Sequence, residues 1–459
     1  MAFVKDRQLV DSFVIGNEVI HSWKRDKVGG LLVKLDFEKA YDSIDHSFLD
    51  YALEGMGFGK RWRGWMTSCI ASPTLSTLVN GSPTKEFGLE RGLRQGDPLS
   101  PYLFNIAVKV LNQLLKKARE LNTLRGAIFG SGKEHITHLQ FTDDTIIFLE
   151  PNRGYLLNLK RILRCYEMAS GLRINFQKSC IIKVGKNLST EIDWADLFRC
   201  KMTDLPITYL GLPLDANPSK KNFWNPVIQK IENRLAPWKS RFLSKGRRLV
   251  LIKAVLSSIP IFYMSAFKMP VGVAQKIKRI QRSFFWGDGV EKRKIHTVSW
   301  EMLCRGKDKG GLGISRMLDK NRGLLAKWIW RFGWEENTLW KRVLCAKYGM
   351  NIRDLRWEWN ITSNPSHLVS SVSKLHQENV QIYNIITNGF KVVVGNGERA
   401  RFWKDIYWQF QPLEKAFPRV FSLAKNKMGR VSEFGSWKGS RWEWEIQLRR
   451  PLFGWEIEQ

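Results

Sequence analysis

His138-Leu139-Gln140-Phe141-Thr142-Asp143-Asp144-Thr145-Ile146-Ile147-Phe148-Leu149 sets two short apolar runs around a pair of adjacent carboxylates. Runs rich in Ile, Leu and Phe suit two strands joined by a tight turn. A solvated hairpin turn, where aspartate is common, accounts for the pair as readily as any other reading of this stretch alone. If the carboxylates are instead withdrawn from water together, they need a proton or a cation. A hard divalent cation with oxygen ligands, most simply magnesium, meets that need. A further carboxylate and a nucleotide-shaped pocket elsewhere in the chain would decide between the two.

Upstream, residues 31–35 (Leu-Leu-Val-Lys-Leu) read as a strand, and Asp36 falls at its end, before a helix-prone segment running to about residue 53. A carboxylate at a strand end can project into a cleft; the alternative is an N-cap for the following helix. Asp42, Asp45 and Asp50 read as solvated helix residues. Between Asp36 and the aspartate pair lies Arg91-Gly92-Leu93-Arg94-Gln95-Gly96-Asp97-Pro98-Leu99-Ser100-Pro101. Its two glycines allow close backbone approach to a ligand. Gln95 can hydrogen-bond a base or sugar, and Arg91 and Arg94 can meet phosphate. The prolines suit a helix start. That helix is expected over residues 102–121, with Phe104, Val108, Leu111, Leu115 and Ala118 as its core stripe. Two carboxylate strands side by side would hold two metal ions about 4 Å apart, the arrangement that clamps an in-line phosphoryl displacement.

The flanking segments frame these elements. Residues 8–24 form an amphipathic pattern around Phe13, Ile20 and Trp23. Residues 55–65 are glycine-rich, basic and aromatic, and residues 75–80 read as a strand with Asn80-Gly81 as a hairpin signal. After the aspartate pair, Tyr155, Leu159, Leu163 and Tyr166 mark a helix ended by Ser170-Gly171, and Leu172, Ile174 and Phe176 alternate as a strand. The order helix, strand, helix, hairpin, helix, strand is that of an α+β fold with an antiparallel sheet. From residue 205 the character changes. Tyr209-Leu210-Gly211-Leu212-Pro213-Leu214 is a compact apolar turn. Basic amphipathic helices follow around residues 224–238 and 247–264, and Lys276, Lys278, Arg279, Arg282, Lys292, Arg293 and Lys294 add positive charge. Tryptophan is dense from Trp286 onward, at Trp300, Trp328, Trp330, Trp334, Trp340, Trp357 and Trp359; most of these are expected in the core. Residues 391–397 read as a strand and turn of no assigned chemistry.

Length and charge bound the class. A chain of 459 residues holds two to four domains. Its 74 Lys and Arg against 43 Asp and Glu give a net charge of +31, which points to a polyanion, most simply nucleic acid. The uncharged run over residues 254–267 contains Pro260 and falls short of a bilayer span, so no membrane partner is expected. The six cysteines are scattered, as reduced thiols in an intracellular protein are. No secretory signal opens the chain, so nucleus or cytoplasm is the expected location.

Taken with the motifs in chain order, the sequence resembles the reverse transcriptase of non-long-terminal-repeat (LINE-type) retrotransposons, specifically the plant form. The resemblance rests on Leu35-Asp36-Phe37-Glu38-Lys39-Ala40-Tyr41-Asp42, on residues 91–101, on Phe141-Thr142-Asp143-Asp144-Thr145, on Ser170-Gly171-Leu172-Arg173-Ile174-Asn175 with Lys178-Ser179, and on residues 209–214. It continues through Leu243-Ser244-Lys245-Gly246 and residues 310–314. It implies a right-hand polymerase: a remnant of fingers over 1–30, a palm over 31–200 with an antiparallel sheet and helices, a mainly helical thumb or connection over 201–350, and a Trp-rich basic region over 351–459. It implies that Asp36, Asp143 and Asp144, with the backbone carbonyl of Phe37, hold Mg2+ or Mn2+. Tyr41 matches the residue under the sugar that excludes a ribose 2′-hydroxyl. Arg94, Gln95, Gly96 and Lys178 match the nucleotide pocket, and Arg7 a fingers arginine that meets phosphate. Arg91, Lys245, Arg247 and Arg248 are expected against nucleic acid. The implied partners are an RNA template, a DNA primer and deoxynucleoside triphosphates. Two departures stand out. Thr142 replaces the family's usual alanine, and the family's earlier fingers motifs, endonuclease and zinc segments do not appear, as in a fragment of a longer element. The competing expectation is therefore an inactive, element-derived nucleic-acid binder.

Overall fold

In the computed structural model, which describes residues 4–5, 7–130, 134–185, 193–235, 243–287, 296–357, 364–378, 384–385, 389, 392–409 and 411–457, the strand Gly30–Leu35 (β1) is the centre of a five-stranded sheet. Asp144–Leu149 (β3) and Cys180–Val184 (β4) flank it, both antiparallel. His138–Phe141 (β2) pairs beyond β3, and the two-residue strand Lys201–Met202 (β5) runs parallel to β4 at the far edge. The expected mixed α+β architecture is thus present, with an antiparallel sheet and one short parallel edge.

Side-chain alternation decides what each face of the sheet does. Leu31, Val33 and Leu35 of β1 join Ile147, Leu149 and Ile181 in one buried cluster. That cluster is roofed by the helices Ser100–Glu120 (α3) and Arg153–Ser170 (α4), through Phe104, Leu111, Leu115, Leu159 and Leu163. The other face carries Leu32, Lys34 and Phe148, and Trp23 of the helix Leu9–Arg25 (α1) meets Phe148 edge-on at 5.8 Å. Burial of both faces explains why β1 and β3 read as near-continuous apolar runs.

Two local expectations are corrected. The helix expected straight after Asp36 starts only at His46 and runs to Gly55 (α2). Lys39 lies at φ +41°, outside helical backbone, and Asp45 caps the helix by accepting from the Phe48 N–H at 2.9 Å. Asp45 is therefore a cap, and Asp50 pairs with Arg63 at 2.7 Å; neither is a merely solvated helix residue. The strand expected over 172–176 is a turn with one isolated bridge, Phe37 to Ile174. Asn175 Oδ1 accepts from the Lys178 N–H at 3.0 Å, an asparagine turn that delays the strand to Cys180. The Asn80-Gly81 hairpin forms, with φ of +50° and +85° at its two central residues.

The chain divides into two compact units, Met1–Ala216 and Asn217–Gln459. In the second, the expected basic helices appear as Asn225–Arg234, Lys245–Leu251 and Val271–Trp286, and the apolar run breaks at Pro260, ahead of a helix over Ile261–Ala266. Trp286, Trp300, Trp328, Trp340 and Trp357 are buried, whereas Trp330 and Trp334 are exposed and stacked on each other. Residues 392–394 have no regular structure and residues 395–397 bend, so the expected strand does not form there. Trp238, Lys292, Arg293, Lys294, Trp359 and Lys391 lie outside the described residues. Among the described residues, no helix is long and apolar enough to cross a membrane.

Candidate functional site

The sheet register brings the two ends of the proposed constellation together. Leu35 pairs with Thr145, so one further step along the ladder sets Asp36 beside Asp144, on the face that also carries Lys34. Phe141 pairs with Asp144 to close a two-residue turn, Thr142-Asp143. Asp143 is exposed in that turn and Asp144 is half-buried. The Asp144 carboxyl is pushed above its ordinary range by burial, then by the charges of Asp143 and Asp36; Lys34 acts the other way. These like charges leave an all-oxygen donor set short of positive charge, the environment that suits a hard divalent cation. Among the described residues, no three His, Cys, Asp or Glu groups already close on one metal position.

Backbone contacts fix Asp36 and strain the turn. The Asp36 N–H donates to Ser179 Oγ at 3.1 Å, and the Asp36 carbonyl accepts from the Asn175 N–H at 2.8 Å. Thr142 sits at φ +53°, uncommon for a β-branched residue. Its hydroxyl lies 2.6 Å from the Phe141 carbonyl oxygen and 2.8 Å from Asp143 Oδ1, and can donate to either.

The glycine loop docks against the segment that follows Asp36. The Gly92 N–H donates to the Ile44 carbonyl at 2.7 Å and the Leu93 N–H to the Tyr41 carbonyl at 2.6 Å. Gln95 Nε2 donates to Asp42 Oδ1 at 3.3 Å, so Asp42 is not simply solvated. Arg94 pairs with Asp97 at 2.5 Å, and Asp97 Oδ1 accepts from the Leu99 N–H ahead of α3. Gly96 faces open space, whereas Gly92 is packed on the backbone of Asp42. The close approach expected of both glycines is thus made by Gly92 to its own chain. Tyr41 stacks on Phe104, centroids 4.7 Å apart, and its phenol is pushed up by burial and by Asp143. Arg7, Arg91 and Lys178 are exposed, and Phe37 is buried.

In the second unit, Lys245 lies over the Trp286 ring at 5.3 Å and Arg247 is exposed. Arg248 corrects an expectation. It is buried, with Nε donating to the Leu243 carbonyl at 3.0 Å and Nη1 to the Phe285 carbonyl at 3.3 Å. Its guanidinium satisfies main-chain acceptors and is not presented to nucleic acid.

Three further residues surround the carboxylates. Ser179 meets Asp36 across 143 residues, a contact that no sequence pattern marks. Lys34 could have been found, since it lies two residues before Asp36 and so shares its face of the strand. Tyr209, an apolar turn residue by sequence, is fully buried in a hairpin.

Comparison with known proteins now adds to this geometry. Residues 1–214 match the model of the reverse transcriptase (RNA-dependent DNA polymerase) family. A putative ribonuclease H protein of Arabidopsis thaliana is 32% identical over 208 residues, covering 44% of this chain and 32% of its own length. An uncharacterized 149 kDa protein of transposon TX1 from Xenopus laevis is 30% identical over 399 residues, 84% of this chain and 29% of its own length. A retrovirus-related Pol polyprotein from a type-1 R2 retrotransposable element of Popillia japonica is 32% identical over 180 residues, 39% of this chain and 24% of its own. The chain thus spans about a third or less of the length of these relatives. Among solved structures, a telomerase from Candida albicans overlays 70% of this chain and 51% of its own, at 11% identity and a TM-score of 0.37. Residues 1–214 are thus similar to the reverse transcriptase family, and the proteins similar to this chain include Pol polyproteins of R2 retrotransposable elements.

Proposed function

We propose that this chain is an RNA-directed DNA polymerase of a plant LINE-type retrotransposon. The observation that carries the reading is the register of β1 against β3, which sets Asp36 beside Asp144 with Asp143 in the adjoining turn. In the proposed reaction the 3′-oxygen of a DNA primer bonds to the α-phosphorus of a deoxynucleoside triphosphate. The bond to the bridging oxygen breaks, pyrophosphate leaves, and the hydroxyl proton passes to solvent. RNA serves as template. Asp36, Asp143 and Asp144, with the Phe37 carbonyl, would hold magnesium, or manganese in its place. When bound, the metal supplies charge that offsets the negative charge building on the phosphate oxygens. Tyr41, held by its stack on Phe104, would lie under the sugar. Gln95 and Gly96 would border the nucleotide and template, with Arg94 and the exposed Lys178 offering charge to the triphosphate. Arg91, Lys245 and Arg247 would meet nucleic-acid phosphates.

Primer extension by the purified chain on an RNA template, with and without magnesium, tests the reading. Magnesium-dependent incorporation is expected. Salt-sensitive nucleic-acid binding without incorporation would leave only a binding protein.

Thr142 supplies a second test. Its hydroxyl competes for an Asp143 oxygen at 2.8 Å. An exposed hydrogen bond contributes about 0.5–1 kcal/mol net, so Thr142→Ala should lower the half-saturating magnesium concentration about threefold. A magnesium titration of primer extension checks this; an unchanged or higher requirement contradicts it.

A further inference from the structure

The apolar turn at residues 209–214 has no part in the function proposed above, yet it ends beside the carboxylates. It is a hairpin, Ile207–Tyr209 (β6) against Leu212–Leu214 (β7), and its central Leu210 and Gly211 have φ of +50° and +78°. Two successive positive φ values make the tight hairpin turn that matches strand twist. The hairpin is fastened to α1 at its far end: the Asp215 N–H donates to Asn17 Oδ1 at 3.2 Å, and Lys24 pairs with Asp215. It is fastened to the sheet at its near end, where Lys34 Nζ donates to the Thr208 carbonyl at 3.0 Å. Lys34 stands on the same face of β1 as Asp36, so this tether anchors the residue before Tyr209 to the site's own strand.

Tyr209 is fully buried, and its hydroxyl has no hydrogen-bond partner among the described residues. A buried donor left unpaired costs about 1–3 kcal/mol and calls for an explanation. The phenol is pushed up by burial first and by the charge of Asp144 second, so the two groups share one environment. The Asp144 carboxylate in turn makes no side-chain hydrogen bond or ion pair among the described residues. A donor without an acceptor thus neighbours a carboxylate without a donor. The Lys34–Thr208 bond holds Tyr209 on the face of the sheet that carries Asp144, where a bridging water would join the two groups.

We propose that Tyr209 is a positioning residue for Asp144, its hydroxyl orienting the carboxylate toward a divalent cation and the Lys34–Thr208 tether setting its place. This rests on the reading of Asp144 as a metal ligand. Groups that orient a ligand from behind typically change metal affinity 10- to 100-fold.

Tyr209→Phe is the test, because it keeps the ring and its packing and removes only the oxygen. The probe is Mn2+ alone, its affinity for the full chain read by electron paramagnetic resonance. The variant should bind Mn2+ about tenfold more weakly, while its melting temperature is unchanged or higher and its affinity for an RNA–DNA duplex is unchanged. A role in packing alone would lower the melting temperature and leave Mn2+ affinity intact. Equal Mn2+ affinity in variant and wild type overturns the inference, as does a wild type that takes up no Mn2+. Primer extension by the wild type separates the two readings. Mn2+ binding without extension defeats the polymerase assignment and leaves the Tyr209 result standing. Extension with an unaffected Tyr209→Phe variant defeats the positioning role alone.

Discussion

Asp144→Asn is expected to lower primer extension on the order of a thousandfold or more while leaving the fold as stable as before or more so. Asparagine has nearly the same volume and keeps the backbone pair with Phe141 that closes the turn. What it loses is a negative charge. In the free protein that charge is a liability, because burial, Asp143 and Asp36 all disfavour the ionised Asp144. Removing it relieves like-charge repulsion, a class of change that commonly adds about 0.5–2 kcal/mol. A carboxylate disfavoured by burial and by two neighbouring carboxylates is what a site kept for a cation, and not for folding, would show. Thermal melts beside primer-extension rates check the paired expectation. A fall in both would make Asp144 a structural residue, and undiminished extension would remove it from the chemistry.

How much of this was legible depends on the range of the interaction. The helix over 102–121 was read almost to its ends, because its stripe of Phe104, Val108, Leu111, Leu115 and Ala118 follows helical period and all five are buried. The carboxylate turn was legible for the same local reason. The start of α2 was not, because the capping contact of Asp45 and the positive φ of Lys39 are single-residue events that leave the apolar pattern unbroken. Charge alone does not place Arg248: a guanidinium in a basic, amphipathic stretch can turn inward to satisfy carbonyls such as those of Leu243 and Phe285. Ser179 meets Asp36 across a long sequence separation, and no periodicity encodes such contacts.

Gly92→Ala should cost the first unit about 3–4 kcal/mol, and Gly96→Ala, four residues on, about 1 kcal/mol. Both glycines have positive φ, +84° and +90°, so both alanines bear the left-handed backbone cost. Their surroundings differ. A Cβ on Gly92 would lie 2.7 Å from the Asp42 carbonyl oxygen, 2.8 Å from its carbon and 2.9 Å from its Cα. That neighbour is main chain and cannot swing aside. Forcing it away would also break the short bonds from Gly92 to Ile44 and from Leu93 to Tyr41, which tie the glycine loop to the segment carrying Asp36. A Cβ on Gly96 meets nothing within 4 Å. Urea unfolding should therefore separate the two variants clearly. Activity should separate them the other way: Gly96→Ala, nearly as stable as the wild type, should raise the KM for the incoming nucleotide about tenfold, because the added methyl occupies the open space beside Gln95 that the proposed substrate would fill. If Gly96→Ala extends primers normally, the nucleotide does not approach this loop. If Gly92→Ala melts with the wild type, the loop is not anchored to residues 41–45 in solution.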